Sequence, residues 1–271
     1  MLRKDWIFAL SLISLSLWFV IVNWKTEMAI IFFPIDYDRN MVQSRTTLVA
    51  LDDKVTIDWT SFSQSEEKSY LRQDVSLLFV NGKLKGVQNK WMEQTDVIEQ
   101  KQLLDVTTDA LLEAISFHHG EIHEGNAIYS IQSMSNDYLY VIDRQAFHTP
   151  KTAKEKTESE KLKTIIDKNL QKKWDQLIDF YQMDEKNYKL YPLTDMMQFY
   201  DDLAAETSEM TSDRVIGQLW EGLYKHYILP AIELEAADDE PIILLHNDLS
   251  HLYVLYELNG EKQQLIQQIV H

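Results

Sequence analysis

Cysteine is absent from this 271-residue chain. No disulfide can staple it, and no thiolate can hold a metal, attack a substrate or carry a lipid. An exported chain without disulfides must be stabilised by core packing, which suits a bacterium that makes few extracellular disulfides. Glycine is scarce: Gly82, Gly86, Gly120, Gly125, Gly217, Gly222 and Gly260 stand singly. No stretch can form a phosphate-cradling loop, a dinucleotide fingerprint or a nucleophile elbow. Positive charge is also short. With 26 Lys and Arg against 43 Asp and Glu, the net charge is −17. So acidic a surface repels phosphate backbones, and no nucleic-acid partner is expected. It favours solubility, and it would also suit a cationic partner or divalent ions.

The feature that stands out is the N-terminus. After Arg3, Lys4 and Asp5, an apolar run extends from Trp6 to Val22, broken only by Ser11, Ser14 and Ser16. Serine hydroxyls can bond back to their own helix, so they are tolerated in lipid. As helix the run spans roughly 26 Å, and continuing to Trp24 brings it to ordinary bilayer length. Trp6, Trp18 and Trp24 lie toward its ends, where indoles prefer the interface. Two basic residues precede the run and Lys25 alone follows closely, so the positive-inside rule leaves the N-terminus in the cytoplasm. Bulky residues end the run where a signal peptidase needs small ones. The expectation is a single-pass protein of the cell membrane. Residues 1–25 would be stub and anchor, spanning at 6–24, and 26–271 an extracytoplasmic domain, with a subdivision near 150 as the alternative.

Beyond the anchor, strand signals dominate up to Pro150. Met28–Ile35, Thr46–Leu51, Lys54–Trp59, Ser116–Glu124, Ala127–Met134 and Tyr138–Ile142 read as strands. Val75–Val80 and Lys83–Trp91 flank Asn81-Gly82, the residues a tight hairpin turn demands. The polar Ser63–Arg72 segment reads as a loop, and Thr108–Ile115 as a short helix. Helical periodicity follows. Ile166, Leu170, Trp174, Leu177 and Ile178 share one face of a helix that reaches about Tyr181. Thr194 and Ser212 are candidate caps of two more helices, the last kinked or ended by Pro230. Strand signals then return, with a closing hairpin at Asn259-Gly260. The fold class is α+β: a mixed, mainly antiparallel sheet with about three helices packed on one side.

The chemical lead is His118-His119-Gly120-Glu121-Ile122-His123. On a strand, His119, Glu121 and His123 share one face, and two imidazoles with a carboxylate can hold a divalent metal such as zinc. On a helix the spacing fails the zincin pattern, because the glutamate falls one place late. His246 or Asp248 could add a ligand. The run His246-Asn247-Asp248-Leu249-Ser250-His251 also holds the letters of a Ser-His-Asp set, but lacks an elbow and reads as a turn. Asp36-Tyr37-Asp38, after an apolar run, resembles over about five residues the first motif of haloacid-dehalogenase phosphatases. The strand-rich order up to Pro150 departs from that family's alternating strands and helices. An EF-hand is excluded, because Met41 and Thr47 replace its glycine and glutamate.

With no convincing catalytic set, the expected function is a non-enzymatic accessory, sensing or protein-interaction module, with a protein or cell-wall partner. The alternative is a metal-binding domain or metal-dependent hydrolase built on His119, Glu121 and His123.

Overall fold

Alternating residues build unusually long strands in the first half of the chain. The computed structural model describes residues 31–51, 56–234 and 238–270. Strands β1 (Met41–Ala50), β2 (Thr56–Val80), β3 (Lys83–Asp105), β4 (Ala110–Glu124), β5 (Ala127–Ile142) and β6 (Gln145–Phe147) form one antiparallel sheet. At the Asn81-Gly82 turn both residues take positive φ, 52° and 73°, as the hairpin signal required. β2 pairs with β3 along one edge. Its other edge takes β1 first and β4 afterwards.

The β2–β3 register shifts between Gln64 and Ser69, and Gln94 nearby has φ 50°. Such a bulge bends the ladder. β1 comes to lie alongside β5, and side chains rather than a backbone ladder join the two. Ser44 meets Ser133 and Thr46 meets Ser135, each pair of hydroxyls at 2.7 Å. The Leu48 N–H donates to the Asp137 carboxylate, also at 2.7 Å. The sheet thereby curls into a barrel-like shell. One part of its interior is apolar, with Leu48, Ile57, Trp59, Leu78, Leu112 and Leu139. Another part is polar and equally buried, with Ser63, Ser65, Arg72, Asp74, Ser116 and His118.

That polar interior corrects one expectation. Ser63–Arg72 is not a loop but the middle of β2. Arg72 donates to the Ser65 hydroxyl and to the Asp96 carbonyl, both at 2.9 Å, and also to Ser63. Ser63, Ser65, Ser69 and Arg72 are buried while Glu66, Glu67 and Lys68 are exposed, so hydrophobicity cannot mark the strand. Thr108–Ile115 is likewise not a helix: β4 begins at Ala110 and is buried on both faces there. A continuous apolar run does not separate helix from strand.

Helix α1 (Ala153–Phe180) starts on a capping box, with Thr152 and Glu155 bonding each other's backbone N–H groups. Next come β7 (Tyr188–Pro192), α2 (Met196–Glu206), α3 (Glu209–Leu223), a π-helical turn (Tyr224–Ile228) and α4 (Leu229–Leu234). Strands β8 (Ile242–His246), β9 (His251–Leu258) and β10 (Glu261–Gln268) complete a second antiparallel sheet, ordered β10-β9-β8-β7. The α+β order of strands, helices and strands is as expected.

The caps differ. Thr194 lies in a 3-10 turn and its N–H donates to Glu240, while Ser208, not Ser212, caps α3. Pro230 ends nothing: the Leu229 N–H reaches back five residues to Tyr224, and the widened turn carries the helix past the proline.

The outer faces of β2 and β4 meet α2, α3 and the second sheet in one apolar cluster. Phe79, Phe117, Phe199, Trp220, Ile243 and Val254 belong to it, so it draws on both sides of Pro150. On the other face of the second sheet, Trp174 and Leu177 of α1 cover Leu244 and Leu255.

The expected span at 6–24 lies outside the described residues, and among those residues no helix is long and apolar enough to cross a membrane. The expected Met28–Ile35 strand is described only from Ile31. There it is a single parallel bridge, Ile35 to Ser130.

Candidate functional sites

Strand β4 carries the histidine-rich motif and alternates its side chains as expected. His119 is buried, and its Nε2 lies 3.0 Å from the Ser130 hydroxyl. Burial, aided by nearby Arg72, pushes its pKa down to about 4. Glu121 and His123 form a separate pair at 3.3 Å, and the His123 ring stacks on Tyr70 with centroids 3.9 Å apart. His119 is thus engaged inside, while its two expected partners sit nearer the surface. Gly120 is explained by packing. A Cβ there would stand 2.8 Å from the Ser69 hydroxyl and 2.9 Å from Arg72 Cδ.

His118, on the opposite face, enters the polar interior of the shell. Its Nδ1 lies 2.6 Å from Asp74 Oδ2 and its Nε2 lies 2.8 Å from Ser135 Oγ. This is the bonding order of an Asp-His-Ser triad. The surroundings are those of a structural network. His118 and Asp74 have no exposed surface, and the Ser135 hydroxyl is shared with Thr46. Ser116 extends the chain to Ser76, which also accepts from the Trp59 indole. A hydrolytic serine needs room for a substrate carbonyl and donors for its oxyanion.

The turn between β8 and β9 brings together a different set. Leu245 pairs with Leu252, and one step beyond them His246 and His251 face each other. Their rings stack with centroids 4.7 Å apart at an interplanar angle of 25°. Asp248, in the turn, reaches back to His246 Nδ1 at 2.5 Å. Among the described residues, these three have ligand atoms lying within 4.8 Å of one another. The Ser250 hydroxyl and N–H, together with His246, hold the Asp248 carboxyl well below the usual range. Burial lowers the His251 pKa, with the His246 charge adding to the effect.

A cavity of about 290 Å³ lies between β4, α1 and the 3-10 turn ahead of α2. Glu113, Lys163, Asp195 and Glu240 line it. Burial raises Glu240 to about 8, and the Glu113 charge adds to this. Burial likewise raises Glu113 to about 7, opposed by Lys163. Sequence reasoning missed this pair, because Glu240 closes an acidic run that reads as a solvated loop. Only its position just before the apolar Ile242–Leu245 strand hinted at burial.

No family model, curated protein or solved structure matches this chain.

Proposed function

We propose that this protein is a single-pass, membrane-tethered extracytoplasmic module that acts by binding a protein or cell-wall partner, not by catalysis. The apolar run at 6–24 and its flanking charges support the tether and its direction. The observation that carries the binding reading is β3. It runs for 23 residues, and its only partner strand among the described residues is β2. An open strand edge offers backbone donors and acceptors that another chain can extend. Lys85, Lys90, Glu93 and Lys101 along β3 discourage indiscriminate pairing, as charged edge residues do.

Two experiments test the reading. Because the chain has no cysteine, single cysteines report its topology cleanly. A membrane-impermeant maleimide should label Lys161→Cys on intact cells and leave Lys4→Cys unlabelled until lysis. The reverse pattern defeats the orientation. For the partner, a photo-crosslinking residue at Glu93, Gln102 or Leu103 of β3 should give one reproducible adduct in cells. The same residue at Lys168 of α1 should not. Equal crosslinking at both places, or none at β3, rejects the edge as the binding surface.

A further inference from the structure

We infer that the turn joining β8 to β9 is a binding site for a divalent transition metal of the zinc class, held by His246, Asp248 and His251. The donor set argues for the class. Two imidazole nitrogens and one carboxylate suit borderline metals such as zinc, nickel and copper, whereas calcium and magnesium want oxygen alone. The separations argue for feasibility. The ligand atoms lie within 4.8 Å of one another, and tetrahedral zinc bonds of about 2.1 Å would set them about 3.4 Å apart. Small side-chain rotations on a partly exposed surface supply that movement. Three protein ligands leave a fourth position for water or for a group on a partner.

The frame around the set is rigid. His246 and His251 stand on adjacent strands of a paired hairpin, so their Cα atoms are fixed. Leu249 is plugged into the core at 9% exposure, although its φ of 60° is unfavourable for leucine. Burial of Leu249 offsets that strain and holds the turn in the shape that points Asp248 back over His246. The Asn247 side chain donates to the Lys186 carbonyl at 2.9 Å and ties the turn to the 3-10 turn Glu185–Asn187 ahead of β7. The Ser250 hydroxyl lies 2.7 Å from His251 Nδ1, leaving Nε2 as that ring's metal-facing atom. Hydrogen bonds of this kind orient metal-bound histidines. Tyr188, paired with His246 across β7 and β8, walls one side, its hydroxyl 3.4 Å from His251 Nε2.

The test uses the full chain, purified in detergent without a polyhistidine tag, stripped with chelator and dialysed against zinc chloride. We expect about one zinc per chain by elemental analysis, and a raised melting temperature when zinc is present. Cobalt in place of zinc should give the visible absorption of a tetrahedral site. His246→Gln with His251→Gln should abolish retention, and Asp248→Asn should weaken affinity at least about tenfold. Asp248 is exposed, so its variant keeps the fold and reports on the site alone. Less than about a tenth of a zinc per wild-type chain would overturn the inference. So would zinc kept by the double variant, or lost only with His119→Gln and His123→Gln.

Discussion

Gly120 shows how one missing carbon supports a buried cation. Arg72 threads the shell interior past β4, and its Nε donates to the His119 carbonyl at 3.3 Å. A methyl at Gly120 would press on Ser69, Arg72 and Ile131 together. Gly120→Ala should cost about 1–3 kcal/mol, read as a lowered denaturant midpoint. An unchanged midpoint would mean that the arginine has room to move.

Glu240 gives a residue-scale pH effect. Folded, its carboxyl keeps its proton up to about pH 8. Unfolded, it releases the proton near about pH 4.3. The folded state therefore binds more protons across that window, and its stability falls as pH rises through it. The melting temperature should drop between about pH 5 and about pH 8, and Glu240→Gln should flatten that drop. His119 works with the opposite sign. Its folded pKa near 4 lies below the unfolded value, so its contribution is lost as pH falls from about 6.5 toward about 4. His119→Gln should soften the acid side of the same profile.

At the scale of elements, the start of α3 is set by Ser208, whose hydroxyl accepts from the Thr211 N–H at 3.2 Å. Ser208→Ala should cost about 1 kcal/mol by chemical denaturation. A neutral result would move the cap elsewhere. This start was misplaced from sequence because Glu209, Met210 and Thr211 extend the helix ahead of the apolar face that marked it. Where one face is dry and the other wet, period and length were legible, as in α1; the Asn81-Gly82 turn also fell where expected, but its strands run far beyond the expected Val75–Val80 and Lys83–Trp91. Legibility failed where burial and polarity part company. Ser63–Arg72 hides serines and an arginine inside the shell, and the start of β4 is buried on both faces. The same failure governs the sites. The strand alternation of His119, Glu121 and His123 was readable, but not that Ser130 would engage His119. The Asn-Asp-Ser turn was readable too, but not the pairing of β8 with β9 that stacks its flanking histidines.

For the whole molecule, the shared cluster from Val75 to Ile269 draws on both halves and should couple their unfolding. Unfolding should be one transition, with indole fluorescence and far-ultraviolet circular dichroism giving coincident midpoints. Trp59 reports from the shell interior and Trp220 from the shared cluster, so Trp59→Phe and Trp220→Phe can be compared. Two separated midpoints would show that the halves melt independently.

The seam between β1 and β5 has a mechanical meaning. A pull on the chain ahead of Ile31 meets the fold at Phe32 and Phe33, whose N–H groups donate to Glu221 and Ser130, and then at Pro34 and Asp36, whose backbone bonds end on Ser130 of β5. Directly behind them run the hydroxyl contacts of Ser44 and Thr46, which are short, few and without a backbone ladder. Tension on β1 would act both on this stitching and on its backbone ladder to β2, which begins at Met41. Of these two joins the seam to β5 has no backbone ladder, so it should yield first, beside the point where load arrives.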